Sequence, residues 1–532
     1  MSTKRILHRW KSGRPCRSCP TKSSTQSHIY SSSRKESRVS RLKPARRWQP
    51  AWRPFKREAL GDRALARVER IVKGPIYGCR MCGNCLLQET AFICPMECPK
   101  GLRNGPCGGS TPETCYVDET RPCVWHEIHE RAFATGREEK LLEVLPPLDW
   151  DKVGGETWGD VYRQTREVGF GAFFSGIRKQ ETRSDVWESV FGPVRQPDWW
   201  QGDAEYHPPA YEEPASELER QLRDGAFVVT SEVAPPMGTA TGKLVRETEM
   251  IRPYVTSVNF TDSPSATARM SSQACSIMAL RGGAEPVMQI AARDRTRVGV
   301  QAEVMGASAL GIRNLLCLSG DSPAIGPAPR SRMEVVDIES VQMLWMLRRM
   351  RDEGVYLDGR KIKSPPSYFL GAAASPYASR PEFQALREHK KVNAGAQFFQ
   401  TNIAFEPKGL EIWLKSLADR NILDKVYVLI GLTPLKSFKM ASYMNDSVPG
   451  VSIPTTILDR LEKAGDPEKE KEEGVQITLE LIDQIKDMEG VNGFHLMPVM
   501  WESIIPRIVT EAGLLPSGFT PPSNHDELIV GV

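Results

Sequence analysis

Thiols are the groups in this chain best placed to do chemistry. Eight of its twelve cysteines fall between Cys79 and Cys123, in the segment GCRMCGNCLLQETAFICPMECPKGLRNGPCGGSTPETCYVDETRPCVW. Cys79, Cys82 and Cys85 are spaced Cys-x-x-Cys-x-x-Cys, which puts three thiols on one tight turn, as iron–sulfur cubes and zinc knuckles require. Cys94, Cys98, Cys107, Cys115 and Cys123 follow. Interspersed Gly83, Pro95, Pro99, Gly105, Pro106, Gly108 and Gly109 let the backbone wrap closely around a centre instead of forming regular elements. Metal ligation would supply the stability that so small and apolar-poor a segment lacks. Eight thiols suffice for two four-thiolate sites. The triple spacing with a further Cys-Pro is closer to ferredoxins than to the paired knuckles of a zinc ribbon, so at least one 4Fe-4S cluster is expected. Zinc in one or both sites is the alternative, because thiolate spacing alone does not separate the two metals. The bland reading is a disulfide knot, which no signal peptide supports. His126 and His129 sit in an apparent helix and read as surface residues. Cys16 and Cys19 form an isolated pair, and Cys275 and Cys317 lie in apolar periodic segments as core residues.

Carboxylates form the second set. Glu232 and Asp321 lie on separate apolar runs and can act as a protonated general acid and an ionised partner that orients a cationic substrate, although spacing does not assign the roles. The elements that must position them begin near residue 216, where short β-rich runs alternate with helical segments. The strand candidates are 227–235, 255–262, 285–294, 314–321, 367–376, 398–405, 425–434 and 493–499. Eight runs over some 300 residues match a (β/α)8 barrel, with a doubly wound open sheet as runner-up. A barrel builds its site at the C-terminal strand ends, where Glu232, Asp262, Arg293, Asp294, Asp321, Thr401 and Asn402 fall. Each alone is more often a helix N-cap or a loop ion pair; their convergence on one rim is the signal. His495, early in the eighth strand, reads as a buried, hydrogen-bonded side chain. Gly320 and Asp321 in LSGDSP form a turn suited to a phosphate or a ring system. Neither a dinucleotide fingerprint nor a P-loop is present.

Composition bounds the rest. Apolar residues at 40% and charged residues at 26% argue against a disordered or membrane chain, and no run approaches the roughly twenty apolar residues of a membrane span. Residues 1–55 read as a disordered basic arm, since 1–50 hold many Arg and Lys against the single acid Glu36. The arm also fits a transit peptide or a mis-assigned start codon, and a nucleic-acid role finds no support elsewhere. The expected order is the arm, a cysteine module over 60–139, an irregular Trp-rich connector over 140–215, the barrel over 216–520 and a tail over 521–532. Reduced thiols and no export signal point to the cytoplasm. Oligomerisation stays open.

The segments SEVAPP, TSVNFTDSPSATARMSS, QIAARDR, LLCLSGDSP, KKVNAGAQFFQTNIAFE and GFHLMPVMWE together resemble methylenetetrahydrofolate reductase over residues 225–515. The cysteine segment, with CPKGLRNGPCGG and CVW, resembles the module that accompanies this reductase in some bacteria. The resemblance implies FAD at the barrel mouth and hydride transfer to methylenetetrahydrofolate, or the reverse, with Glu232 as general acid and Asp321 beside flavin and pterin. It also implies FAD contacts at Asn259, Gln289, Leu318, Gly320, Ala373, Ser375 and Lys391, with Lys391 pairing the pyrophosphate, and folate contacts at Glu232, Asp321, Asn402 and Phe438. Two departures stand out. Asn402 replaces a folate-binding glutamine, and Trp501 replaces an arginine used for the nicotinamide cofactor. The second departure, with the cysteines, points to electrons arriving from a ferredoxin or a partner flavoprotein. The competing readings are a non-redox folate or methyl-carrier module serving a methyltransferase, and a zinc clamp on an NADH-dependent reductase.

Overall fold

A computed structural model describes residues 60–159, 199–200, 202–323, 326–327, 336–377, 380–448, 450–516 and 519. The basic arm with Cys16 and Cys19, the middle of the connector (160–198) and the tail lie outside the described residues.

Eight parallel strands close into a barrel: β1 (Val228–Val233), β2 (Ser257–Phe260), β3 (Pro286–Ala291), β4 (Asn314–Leu318), β5 (Phe369–Ala374), β6 (Phe398–Ile403), β7 (Tyr427–Leu432) and β8 (Val491–Leu496). All eight runs expected from the sequence contain strands; the first seven are trimmed at one or both ends, and the eighth starts two residues earlier than expected and stops three sooner. Pairing of β8 with β1 closes the sheet and excludes the open doubly wound alternative.

Because side chains alternate across a strand, every second residue enters the lumen, and the register stacks these into layers. The lowest is apolar: Val228, Val287, Leu316, Phe369, Phe398 and Leu429 pack with Leu218 and Leu222 of the helix Glu217–Arg223, which plugs the N-terminal end. Gly371 leaves room there, since a Cβ on it would stand 2.2 Å from the Phe398 ring. One step up, Thr230, Asn259, Gln289, Gln400 and His495 are polar and buried. Another step reaches the rim, with Glu232, Leu318, Ala373 and Asn402. The opposite strand faces, among them Val229, Val258, Ile290 and Ile430, form the main core with the surrounding helices.

The cysteine module has little regular structure. It opens on α1 (Leu60–Tyr77), runs through turns and one 3-10 turn (Pro95–Glu97), and ends on α2 (Val124–Ala134). Gly83 is required: its φ is +69°, and a Cβ would lie 1.8 Å from the Lys152 carbonyl oxygen. Trp125, Ile128 and Ala132 of α2 pack with Leu141, Leu142 and Leu386, the last from the barrel helix Pro381–Ala394. A buried polar seam extends the contact. The Arg103 N–H donates to Glu339 at 3.2 Å, Asn104 bonds Glu339 and exchanges hydrogen bonds with the Leu145 backbone, and Gln342 donates to the Leu145 carbonyl at 3.1 Å.

Candidate active site and cysteine module

The lumen holds a hydrogen-bonded chain that ends on His495, with Glu232 beyond it. Asn259 Nδ2 donates to Gln400 Oε1 at 2.6 Å, and Gln400 Nε2 donates to Thr230 Oγ1 at 3.0 Å and faces His495 Nδ1 at 3.3 Å. The Thr230 hydroxyl lies 2.9 Å from the same nitrogen. With Nδ1 accepting, the imidazole proton sits on Nε2, which is 3.9 Å from Glu232 Oε2. Burial pushes His495 down to about 3, so the ring is neutral. Burial, aided by the nearby Glu502 charge, pushes Glu232 up to about 7, although its side chain keeps 21% of its surface at the mouth. Glu232 is therefore a carboxyl group that can hold or release a proton near neutrality.

The other strand-end residues divide. Asp262 is engaged structurally, accepting from the Ala291 N–H at 2.9 Å and from Arg295 at 2.5 Å. Arg293 pairs with Asp294 and also donates to the Asp321 carbonyl at 3.3 Å, bracing the turn at Gly320, whose φ is +78°. Asp321 itself faces the site: Oδ2 accepts from the Ser265 N–H at 2.8 Å, and Oδ1 accepts from the Tyr116 hydroxyl at 3.2 Å. Thr401 accepts from the Gly431 N–H at 2.8 Å, and Asn402 Nδ2 donates to Ser375 Oγ at 3.3 Å. Phe438 heads the helix Phe438–Ser447, its N–H bonded to Glu470.

Of the positions tied to FAD by resemblance, Asn259 and Gln289 lie in the lumen, with Leu318, Gly320, Ala373 and Ser375 at the rim. Two rim hydroxyls of the same parity, Thr261 Oγ1 and Thr433 Oγ1, are buried without a hydrogen-bond partner. Such unpaired groups, beside small residues, fit a ligand with acceptor edges such as a flavin ring. Lys391 is placed differently from a phosphate-pairing lysine: it is buried, and its ammonium donates to the Ala373 carbonyl at 2.6 Å and to Glu388 at 2.5 Å. Burial pushes it down to about 8.

The eight thiols sort into two quartets. Cys79, Cys82, Cys85 and Cys94 line one small cavity, together with Glu69, Lys73 and Thr157. Cys98, Cys107, Cys115 and Cys123 line a second. All eight are free thiols, which sets aside the disulfide knot. Burial pushes Cys85 and Cys98 up to about 12, so any metal must displace protons to bind. Among the described residues, no three His, Cys, Asp or Glu side chains converge as the ligands of a single ion do. His126 and His129 line neither cavity; they are buried rather than exposed, and His126 Nε2 faces the Ser110 carbonyl at 3.2 Å.

The second quartet sits on the barrel mouth. A Cβ on Gly108, the residue after Cys107, would lie 2.7 Å from Ser375 Oγ. Tyr116, the residue after Cys115, reaches Asp321, and Lys100 donates to the Gly320 carbonyl at 2.7 Å. Sequence reasoning missed Tyr116 and Lys100, because nothing in a cysteine-rich turn marks a residue as reaching a distant strand end. It also missed Gln400 and Thr230. Their signal was available: they share strand parity with Asn402 and Glu232.

Comparisons with known proteins follow this geometry. No curated protein matches the sequence. Among solved structures, an uncharacterised Clostridium thermocellum protein that binds two copies of 5-methyl-5,6,7,8-tetrahydrofolic acid is 16% identical, with TM-score 0.40, over 56% of this chain and 97% of that one. An F420-dependent secondary alcohol dehydrogenase is 13% identical, with TM-score 0.36, over 54% of this chain and 98% of that one. The family model for the methylenetetrahydrofolate reductase C terminal matches residues 59–151, the cysteine module. No described helix is long and apolar enough to cross a membrane. The methylenetetrahydrofolate reductase model itself matches residues 217–513, more than half of the 532, and the chain belongs to that family, whose name is that of an oxidoreductase of folate metabolism.

Proposed function

We propose that the protein interconverts 5,10-methylenetetrahydrofolate and 5-methyltetrahydrofolate with FAD at the barrel mouth, and that electrons reach this site through the cysteine module. The observation that carries the reading is the seat of the second thiol quartet: Gly108 and Tyr116, each next to a cysteine, touch Ser375 and Asp321 on the rim. FAD would supply hydride transfer, and 4Fe-4S clusters in the quartets would supply single-electron relay.

The chain's own residues do the rest. Glu232 holds a proton near neutrality and delivers it to the folate nitrogen that leaves the methylene carbon. His495 keeps its Nε2–H toward that carboxylate and so steadies it once the proton has gone. Asp321 and Asn402 offer hydrogen bonds to the pterin edge. Asn259, Gln289, Gly320, Ala373, Ser375, Thr261 and Thr433 would hold the flavin; Lys391 as placed is occupied by Glu388, so the phosphates must find other partners.

Anaerobically purified protein is expected to be yellow-brown, to contain FAD and iron, and to bleach in the flavin band when 5-methyltetrahydrofolate is added. A colourless protein that still binds folate would overturn the reading in favour of a carrier-binding module. Zinc without iron would overturn the electron route alone.

A further inference from the structure

Glu69 and Lys73 lie one turn apart on α1, each only 2% exposed, on the face turned to the first thiol quartet. An ammonium has three N–H donors, and Lys73 Nζ has three neighbours for them: Glu69 Oε1 at 2.6 Å, Thr157 Oγ1 at 2.9 Å and Cys85 Sγ at 3.9 Å. Glu69 is held in turn by the Thr157 hydroxyl, by the Thr157 N–H at 2.7 Å and by the Trp158 N–H at 3.3 Å. Nothing in this packing needs charge. A buried ion pair is on balance a weak stabiliser, and an apolar pair of similar volume would hold α1 as well. What the charge does is place a cation against a sulfur of the quartet.

We propose that Lys73 sets the reduction potential of the centre held by Cys79, Cys82, Cys85 and Cys94, acting as a positioning residue through its contact with Cys85. The proposal rests on the cluster reading above. Taking up one electron adds one negative charge to a four-thiolate centre, and a fixed cation in a low-dielectric pocket stabilises that form. Glu69 opposes this only in part, because two backbone N–H groups and a hydroxyl share its charge. At the second quartet Lys100 and Arg121 line the cavity, but Lys100 is bonded to the Gly320 carbonyl at 2.7 Å and Arg121 to the Glu97 carbonyl at 2.6 Å, and among the described residues neither bonds a sulfur of that quartet as Lys73 bonds Cys85.

The test is an anaerobic redox titration of the full-length protein with titanium(III) citrate, followed by low-temperature electron paramagnetic resonance. Lys73→Met leaves Glu69 buried and alone and can fail to fold, so Lys73→Met/Glu69→Gln, which leaves no lone charge, is titrated beside it. One of the two cluster signals is expected to fall by at least 59 mV, a tenfold shift in a one-electron equilibrium, while the other stays in place. An unchanged midpoint in the iron-replete double variant, or an equal shift of both signals, overturns the proposal. So does a folded double variant that has lost its iron, which would make Lys73 an assembly residue. Wild-type protein without iron overturns the cluster reading, and this proposal with it.

Discussion

The barrel and the cysteine module position chemical groups by opposite means. In the barrel, Glu232, Asn259 and His495 take their places from strand parity and register, above an apolar layer that includes Phe369 and Phe398. In the module, the thiols lie on turns held by glycines, by buried polar groups such as Arg103 and Asn104, and by α2 packed on the barrel helix Pro381–Ala394. A barrel without its ligand keeps its geometry, because apolar burial fixes it. The module of turns has eight free thiols and no bonds between them, so the proposed ligation would supply much of its order. The difference teaches which part of the protein each perturbation will reach.

The sharpest division is expected from Glu232→Gln, which removes the proton and keeps the shape. Single-turnover kcat should fall about 10²–10⁴-fold, the usual weight of a general acid, with iron and flavin content unchanged. A loss confined to KM would mean that Glu232 only binds folate.

Two glycines test the supports directly. Gly371→Ala pushes a Cβ into the Phe398 ring, and overpacking of this kind destabilises by about 1–3 kcal/mol; calorimetry should show the barrel transition lowered and iron retained. Gly83→Ala forces a left-handed residue against the Lys152 carbonyl and should give the reverse, with iron lost and the barrel transition close to wild type. Both variants losing both properties would mean that the two regions fold as one unit.

The pH profile separates chemistry from delivery. Because Glu232 must be protonated to act as an acid and its pKa stands near 7, kcat/KM for methylenetetrahydrofolate should decline as pH rises through about 7. Glu502→Gln removes a like charge, lowers the Glu232 pKa and moves that decline to lower pH. Reduction of the module by titanium(III) should not follow the same curve.

The smallest effect is expected where the regions meet. Tyr116→Phe deletes one hydrogen bond to Asp321, worth about 0.5–1.5 kcal/mol, and should weaken folate binding a few-fold in equilibrium titration, with both cluster signals kept. No change would make the contact incidental.

Much of the barrel was legible because it repeats. Eight short apolar runs with helices between them announce their strands, and the rim residues follow from the rule that barrel sites form at C-terminal strand ends. Asp262 shows the limit: it occupies the same kind of position as Glu232, yet Arg295 engages it, and only coordinates tell the two apart. The cysteines were legible as candidate ligands by type and spacing. Their sorting into two quartets was not, because turns have no periodicity from which to read which loop folds back on which.

The amino-acid sequence by itself determined the list of groups: eight thiols in one segment, two carboxylates on separate strands, and enough alternating strands to close a barrel. Tertiary structure alone decided the company they keep. It put Tyr116 on Asp321, Gly108 on Ser375, Lys73 beside Cys85 and Lys391 in the grip of Glu388. Local patterns report on neighbours a few residues apart, whereas pKa values and cofactor contacts depend on charges and atoms brought together across 200 residues or more, as Tyr116 and Asp321 are.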